Sequence, residues 1–253
     1  MVRSARLVVV AVVASSAACR SAPEPVDESF VRAVPDEADA AVPDQADAPV
    51  TDDATTFEGR PIAPTMSHLG ADWLGRPERI TEEDPDALHA ALAVRPGQTA
   101  CDVGAGSGYH TIRLARAVGP KGRVIASDLQ PEMLALLRDA VDAAGVRNVE
   151  PVLATATDPA LPPGGCDLIL LVDVYHELAA PEAMLAAFGL ALARKGRLAL
   201  VEFRGEDPDV PIKPEHKMTL AQVRRELEPR GFRLAQQFDG LPWQHLLVFD
   251  RGG

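Results

Sequence analysis

Residues 99–110, TACDVGAGSGYH, constrain the fold of this 253-residue chain more than any other stretch. An apolar strand ends in an acid, Asp102, and runs at once into glycines at positions 104, 106 and 108. A helical run, TIRLARAV, follows. Strand, glycine turn and helix in immediate succession open a doubly wound α/β sheet, and the bare turn lets the backbone approach a bound ligand closely. The dinucleotide fingerprint is GxGxxG, whereas this turn reads GxGxG. An acid two residues before the first glycine would repel a pyrophosphate; it suits a cationic ligand.

A second acid sharpens the reading. GRVIASD, residues 122–128, is a short apolar strand ending in a carboxylate 20 residues beyond Gly108. In a doubly wound sheet that strand end lies beside the first turn, where an acid can accept both ribose hydroxyls. On these two features the chain resembles the class I S-adenosylmethionine-dependent methyltransferases, from about Pro61 to the C-terminus and most strongly over residues 99–177. The resemblance implies that Asp102, Gly104, Ala105, Gly106 and Gly108 hold the methionine end of that cofactor. It places Asp128 on the ribose, Leu129 against the adenine, and Thr157 or Asp158 on the exocyclic amine. Asp158 equally suits a turn before Pro159. A nicotinamide-dependent dehydrogenase shares the strand, the glycine turn and the distal acid, so only the glycine spacing and Asp102 separate the two.

The same resemblance directs attention to DVYHEL, residues 173–178. Asp173 is expected on the cofactor, with Tyr175, His176 and Glu177 facing the methyl group. His176 is the expected general base, since an imidazole accepts a proton near neutral pH, the alternative being that it only caps the following helix or hydrogen-bonds backbone. The loop VEFRGEDPDVPIKPEHKM is rich in functional side chains and stiffened by proline, which predicts a lid in which Lys213, His216 and Lys217 bring positive charge to the acceptor, the alternative being an exposed, salt-linked loop without substrate contact. Trp73, with His68 and Arg76, is expected to line the pocket, the alternative being that Trp73 packs on the sheet edge. SDLQPEML and the VEF strand end look most like the small-molecule C-methyltransferases of ubiquinone and menaquinone biosynthesis and the related arsenite enzymes. Paired cysteines expected for arsenic chemistry are missing, so a quinone-like or other small lipophilic acceptor is expected. A tethered protein that binds a nucleoside-like ligand without turnover is the alternative from another class.

Strand and helix patterns alternate to the end of the chain, which predicts one mostly parallel seven-stranded sheet with helices on both faces and an antiparallel last strand. PDALHAAL, residues 131–145 and residues 181–196 read as helices, the last two with a Pro start and a Gly stop. Residues 166–174 form a near-continuous apolar run, as in a strand covered on both faces. TLAQVRRELEPRG carries a Thr-x-x-Gln cap. Cys101 and Cys166 fall on neighbouring strands in the resembled fold. A stagger of three or four residues would part them by about 10–13 Å, beyond disulfide reach. Both are expected to be buried thiols, and no metal site is expected.

The N-terminus reads differently. Arg3 and Arg6, an apolar run and SSAAC make residues 1–19 resemble a bacterial export signal ending in a lipobox at Cys19, though Ser16 stands where such signals carry a larger aliphatic residue. Residues 20–60 are rich in Ala, Pro and Asp. Over residues 21–60, eleven acids stand against Arg32 and Arg60, too polar to offset chain entropy by burial. This stretch is expected to be a disordered tether with a reach of roughly 35 Å. The methyltransferase-like domain is expected over 61–253. Without residues 1–60 the chain keeps 26 acids and 20 Lys+Arg, so nucleic-acid binding is not expected and membrane contact is expected only through the lipid anchor. Export conflicts with a cofactor made in the cytosol; translation from Met66 would instead give a cytosolic protein.

Overall fold

A computed structural model describes residues 56–252. The expected signal, lipobox and most of the expected tether lie outside the described residues. Two short strands, β1 (Thr56–Phe57) and β2 (Arg60–Pro61), form a hairpin whose two-residue turn, Glu58-Gly59, has positive φ at both positions. That turn matches the right-handed twist of the strands it joins. Short helices α1 (Ala71–Leu74), α2 (Arg79–Glu83) and α3 (Pro85–Leu92) follow. The main sheet then begins with β3 (Thr99–Val103), followed by α4 (Tyr109–Val118), β4 (Arg123–Asp128), α5 (Pro131–Ala143) and β5 (Val149–Leu153). Its second half comprises β6 (Cys166–Val172), α6 (Pro181–Ala191), β7 (Leu192–Arg204), β8 (Lys217–Met218), α7 (Leu220–Leu227), β9 (Phe232–Phe238) and β10 (Gln244–Arg251).

The strand order is β5-β4-β3-β6-β7-β10-β9, with β8 pairing the end of β7 as an eighth strand. Pairing is parallel from β5 to β7, and β10 runs antiparallel to both neighbours. The expected sheet is therefore present, with β8 added. Alternate residues along the strands feed two cores. Cys101, Ile169, Leu171, Leu198 and Leu200 pack against α6 and α7. Ala100, Leu168, Leu170, Ala199 and Val201 pack against α3 and α4. The chain turns from one half of the sheet to the other at β3 and β6, and it is outside the carboxyl ends of strands at such a switch that ligands bind.

Local chemistry sets the helix ends. Asp84 caps α3 by accepting the Ala87 N–H, and Pro85 occupies the first turn. Thr219 caps α7 as expected, but Gln222 turns its side chain to Glu226 rather than back to the cap. α6 stops at Ala191, five residues before the expected Gly196. Leu192 leaves the helix to pair with Cys166 and sinks into the core, and β7 reaches its regular register only at Arg197.

Two further expectations are corrected. Cys101 and Cys166 form a disulfide, with Cα atoms 5.9 Å apart. Cys101 does lie opposite Ile169, three residues beyond Cys166. But β6 is irregular at its Cys166 end, where its register with β7 shifts between Cys166 and Leu168, so regular-strand spacing overestimates the separation. The folded unit also starts before Pro61. Arg60 is buried and paired with Glu226, Phe57 lies under the Arg230 guanidinium, and Glu58 pairs with Arg230. Composition averaged over 40 residues cannot register a hairpin this short. Among the described residues, no helix is long and apolar enough to cross a membrane.

Candidate functional site

At the switch point, β3 delivers Asp102 to the mouth of the glycine turn. Asp102 is buried and accepts a 2.5 Å hydrogen bond from the Thr111 hydroxyl on α4. Burial pushes its carboxyl up to about 6; the Asp128 charge adds to the rise, while the Thr111 bond and Arg79 oppose it. Gly104 and Gly106 have φ of 68° and 53°, backbone that side chains rarely adopt. A Cβ on Gly104 would meet Val174 at 2.5 Å, and one on Gly106 would meet Leu74 at 2.9 Å. Gly108 also has positive φ and begins α4.

The turn is fastened to the second acid. Gly104 and Ala105 donate their N–H groups to the Ser127 carbonyl, and Gly106 donates to Asp128 Oδ2 at 2.9 Å. The other Asp128 oxygen accepts the Gln130 N–H at 2.8 Å. Burial raises the Asp128 pKa, and these backbone bonds hold it back. Gln130 also ties the chain before α1 to the site, through the His68 N–H and the Met66 carbonyl. Leu129 is half exposed beside this acid.

A cleft of about 40 Å³ is lined by Asp102, Gly104, Ala105 and Gly106 from the turn, with Leu74, Arg79, Tyr109 and His110 closing it. It is smaller than the roughly 300 Å³ or more of a typical small-molecule site, with Leu74 and Val174 standing against the glycines. The bare turn, the acid at its mouth and the second acid tied to it still fit the methionine and ribose ends of S-adenosylmethionine.

Arg79, Tyr109 and His110 join the cleft without a distinctive signal of their own in the sequence. Arg79 is buried, binds Glu83 at 2.5 Å and the Leu74 carbonyl at 2.8 Å, and lies over the Tyr109 ring. It also donates to His110 Nε2, so the His110 proton sits on Nδ1 and points to His89 Nε2 at 3.1 Å. Burial and the Arg79 charge push the His110 pKa far down, keeping that imidazole neutral. The sequence signal was the four-residue spacing of Arg79 and Glu83, which an exposed helix shows equally.

The second constellation lies beyond β6. His176 is buried, with its Nδ1 donating to Glu202 Oε2 at 2.5 Å; Glu202 also accepts the Tyr175 N–H. Burial alone would lower the His176 pKa, but the Glu202 charge and hydrogen bond, joined by Glu177 and Asp173, carry it above the ordinary value. Its Nε2 faces His216 Nδ1 at 3.1 Å and Glu177 Oε1 at 3.8 Å. Burial pushes Glu177 up to about 7 and, with the His176 charge, His216 down to about 4. The segment after β7 thus brings His216 to His176.

Other expected residues fall elsewhere. Tyr175 is not available for catalysis: its hydroxyl is fully buried and donates to Glu226 at 2.8 Å. Asp158 accepts the Ala160 N–H and shapes a turn, and Thr157 lies exposed in the same turn against Thr155. Asp173 is held by Gln244 at 2.6 Å, and burial together with Glu83 and Glu202 drives its pKa well up. Lys213 is exposed with no ion partner among the described residues, while Lys217 donates to the Asp207 carbonyl. Trp73 is stacked under the Arg76 guanidinium at 3.6 Å, and Arg76 is bound to Glu82 and Glu83.

Comparison with known proteins bears on the fold and the family. Residues 100–196 match the sequence model of a methyltransferase domain. The chain is 34% identical over 110 residues to the ubiquinone/menaquinone biosynthesis C-methyltransferase UbiE of Vibrio vulnificus, a match covering 43% of this chain and 42% of that protein. It is 41% identical over 61 residues to the arsenite methyltransferase of Halobacterium salinarum, covering 24% and 16% respectively. The chain therefore spans less than half the length of the curated relatives it matches. Among solved structures it resembles a SAM-dependent methyltransferase from Aquifex aeolicus, with a TM-score of 0.69, 26% identity, and coverage of 73% of this chain and 98% of that one. The sheet is that of the Rossmann-like methyltransferase fold.

Proposed function

We propose that this protein transfers a methyl group from S-adenosylmethionine to a small-molecule acceptor. The observation that carries the reading is the pairing of Asp102, at the mouth of a bare glycine turn, with Asp128, which the Gly106 amide ties to the same turn. When bound, this cofactor supplies a methyl group already activated by its sulfonium. The chain's task is then to align acceptor and methyl and to exclude water. Asp102 offers negative charge to the cationic methionine end, and Asp128 retains lone pairs for the ribose hydroxyls. His176, Glu177 and His216 define the acceptor side, with Glu202 fixing the His176 ring. The partial match to the quinone-biosynthesis C-methyltransferases supports a quinone-like or other small lipophilic acceptor.

The domain is proposed to work outside the cytoplasm on a lipid anchor at Cys19. The Cys101–Cys166 bond supports this, because disulfides persist chiefly in oxidising compartments. This location requires that the cofactor reach it there.

Calorimetry of the purified full chain with S-adenosylmethionine, S-adenosylhomocysteine and NAD tests the cofactor. The first two are expected to bind and NAD not to; binding of NAD alone would overturn the reading. Transfer of labelled methyl to a lipid-soluble extract then tests the acceptor class. Cell fractionation of protein carrying Cys19→Ser tests the anchor, with release from the membrane fraction expected.

A further inference from the structure

Two histidines and a glutamate converge on the acceptor side. His176 and His216 come from separate one-turn 3-10 helices, Tyr175–Glu177 and Pro214–His216, 40 residues apart in the chain. His176 Nε2 and His216 Nδ1 are 3.1 Å apart, and Glu177 Oε1 lies 3.8 Å from the former. One ligand atom from each of the three residues fits within 4.8 Å. At metal–ligand bonds of about 2.1 Å, a 3.1 Å nitrogen pair subtends about 95° and the 3.8 Å pair about 130° at a common ion, inside the range a distorted tetrahedral site spans.

The surroundings point the same way. Glu202 holds His176 Nδ1 at 2.5 Å, which fixes the ring and aims the Nε2 lone pair outward. A carboxylate behind a ligating imidazole is the usual support of a metal-bound histidine. Glu177 and Glu202 have no Arg or Lys ion partner among the described residues; His176 is the one ionisable base paired with either, beside the Met66 and Tyr175 N–H groups they accept. The nearby acids Glu83 and Glu226, by contrast, are matched by Arg79 and Arg60. Two carboxylates sharing one imidazole leave a local deficit of positive charge that a divalent ion would fill.

We infer that His176 Nε2, His216 Nδ1 and Glu177 form a binding site for a late first-row divalent metal ion, with Zn²⁺ the best match to two imidazoles and a carboxylate. Three protein ligands leave a fourth position of a tetrahedral ion open to water or to a heteroatom of the acceptor. The site stands on these residues alone; only its place beside the acceptor rests on the methyl-transfer reading. Residue spacing shows no metal pattern because the ligands come from two turns far apart in the chain.

The test is zinc titration of the purified, chelator-stripped full chain against a chromophoric zinc indicator. One Zn²⁺ per chain is expected. His216→Ala, in a partly exposed loop residue, is expected to weaken binding at least 100-fold without changing the melting temperature of the stripped protein. Glu202→Gln is expected to weaken it 10- to 100-fold through the ring it orients. Should His216→Ala fail to fold, Glu177→Gln serves in its place, with a loss of at least tenfold expected. Absence of stoichiometric zinc in the wild-type chain, or unchanged affinity in folded His216→Ala or Glu177→Gln protein, overturns the proposal. S-adenosylmethionine binding by the same samples is read separately, so failure of the cofactor reading does not mimic failure of the metal site.

Discussion

The Asp128 carboxylate accepts the Gly106 amide at 2.9 Å, so the acid that ends β4 and the middle glycine of the turn after β3 form one mechanical unit. Its other oxygen holds the Gln130 N–H, and Gln130 in turn holds the segment before α1. Asp128→Ala would therefore release the turn as well as remove a ribose acceptor. An S-adenosylmethionine dissociation constant at least tenfold higher is expected by calorimetry. Asp128→Asn keeps one acceptor oxygen but turns an NH₂ toward one of the two amide donors. An affinity between wild type and alanine is expected. Equal affinity in all three proteins would remove Asp128 from the site.

Asp102 predicts a pH dependence whose sign follows from burial. Its folded-state pKa is raised to about 6 from an ordinary 3.8, so the folded protein holds this proton more tightly than the unfolded chain. The stabilisation is complete below about pH 4 and is lost as pH rises through about 6. A shift of this size corresponds to on the order of 3 kcal/mol. Asp102→Asn is expected to flatten that component of stability in urea titrations between pH 4 and pH 7. Ligand binding runs the other way: a cationic ligand favours the carboxylate, so S-adenosylmethionine affinity should rise over the same interval in wild type but not in Asp102→Asn.

The glycine-turn half of the candidate site was legible because its chemistry is local. Asp102, Gly104, Ala105 and Gly106 lie within five residues, and their spacing encodes a turn whose backbone angles few other residues tolerate. Helix boundaries marked by proline and capping side chains were legible for the same reason, as at Pro131 and Thr219. Long-range pairing was not. Arg79 reads as a surface charge until α2 is folded over the turn, and Tyr175 reads as an active-site phenol until Glu226, 51 residues away, accepts its hydroxyl hydrogen bond. The Cys101–Cys166 bond is not legible in residue spacing, because the irregularity of β6 at Cys166, seen in its pairing with β7, is set by packing.

That disulfide closes a 65-residue separation across two central strands. Restricting the unfolded chain over such a loop contributes about 4 kcal/mol in the chain-entropy account. The Cys101→Ala/Cys166→Ala protein is expected to lose roughly 2–4 kcal/mol in denaturant unfolding. Wild type unfolded in the presence of a thiol reductant should approach the same stability. If the double variant matched oxidised wild type, the bond would have no structural weight.

Arg60 supplies the last prediction, because it joins the N-terminal hairpin to the floor of the acceptor side. Its Nε donates to Glu226 at 2.7 Å and its Nη1 to the His176 carbonyl at 3.0 Å, while the Tyr175 hydroxyl reaches the same Glu226. Removing one partner of such a buried pair leaves the other charge without compensation, at a cost of about 3–5 kcal/mol. Arg60→Ala should fall in that range by denaturant unfolding. Replacing both partners, Arg60→Met with Glu226→Leu, should recover part of the loss, since no charge is then stranded, although Tyr175 loses its acceptor. A chain begun at residue 61 should be as unstable as Arg60→Ala, whereas one begun at residue 52 should match the full chain. Equal stability from both starts would mean that the hairpin contributes nothing to holding His176 in place.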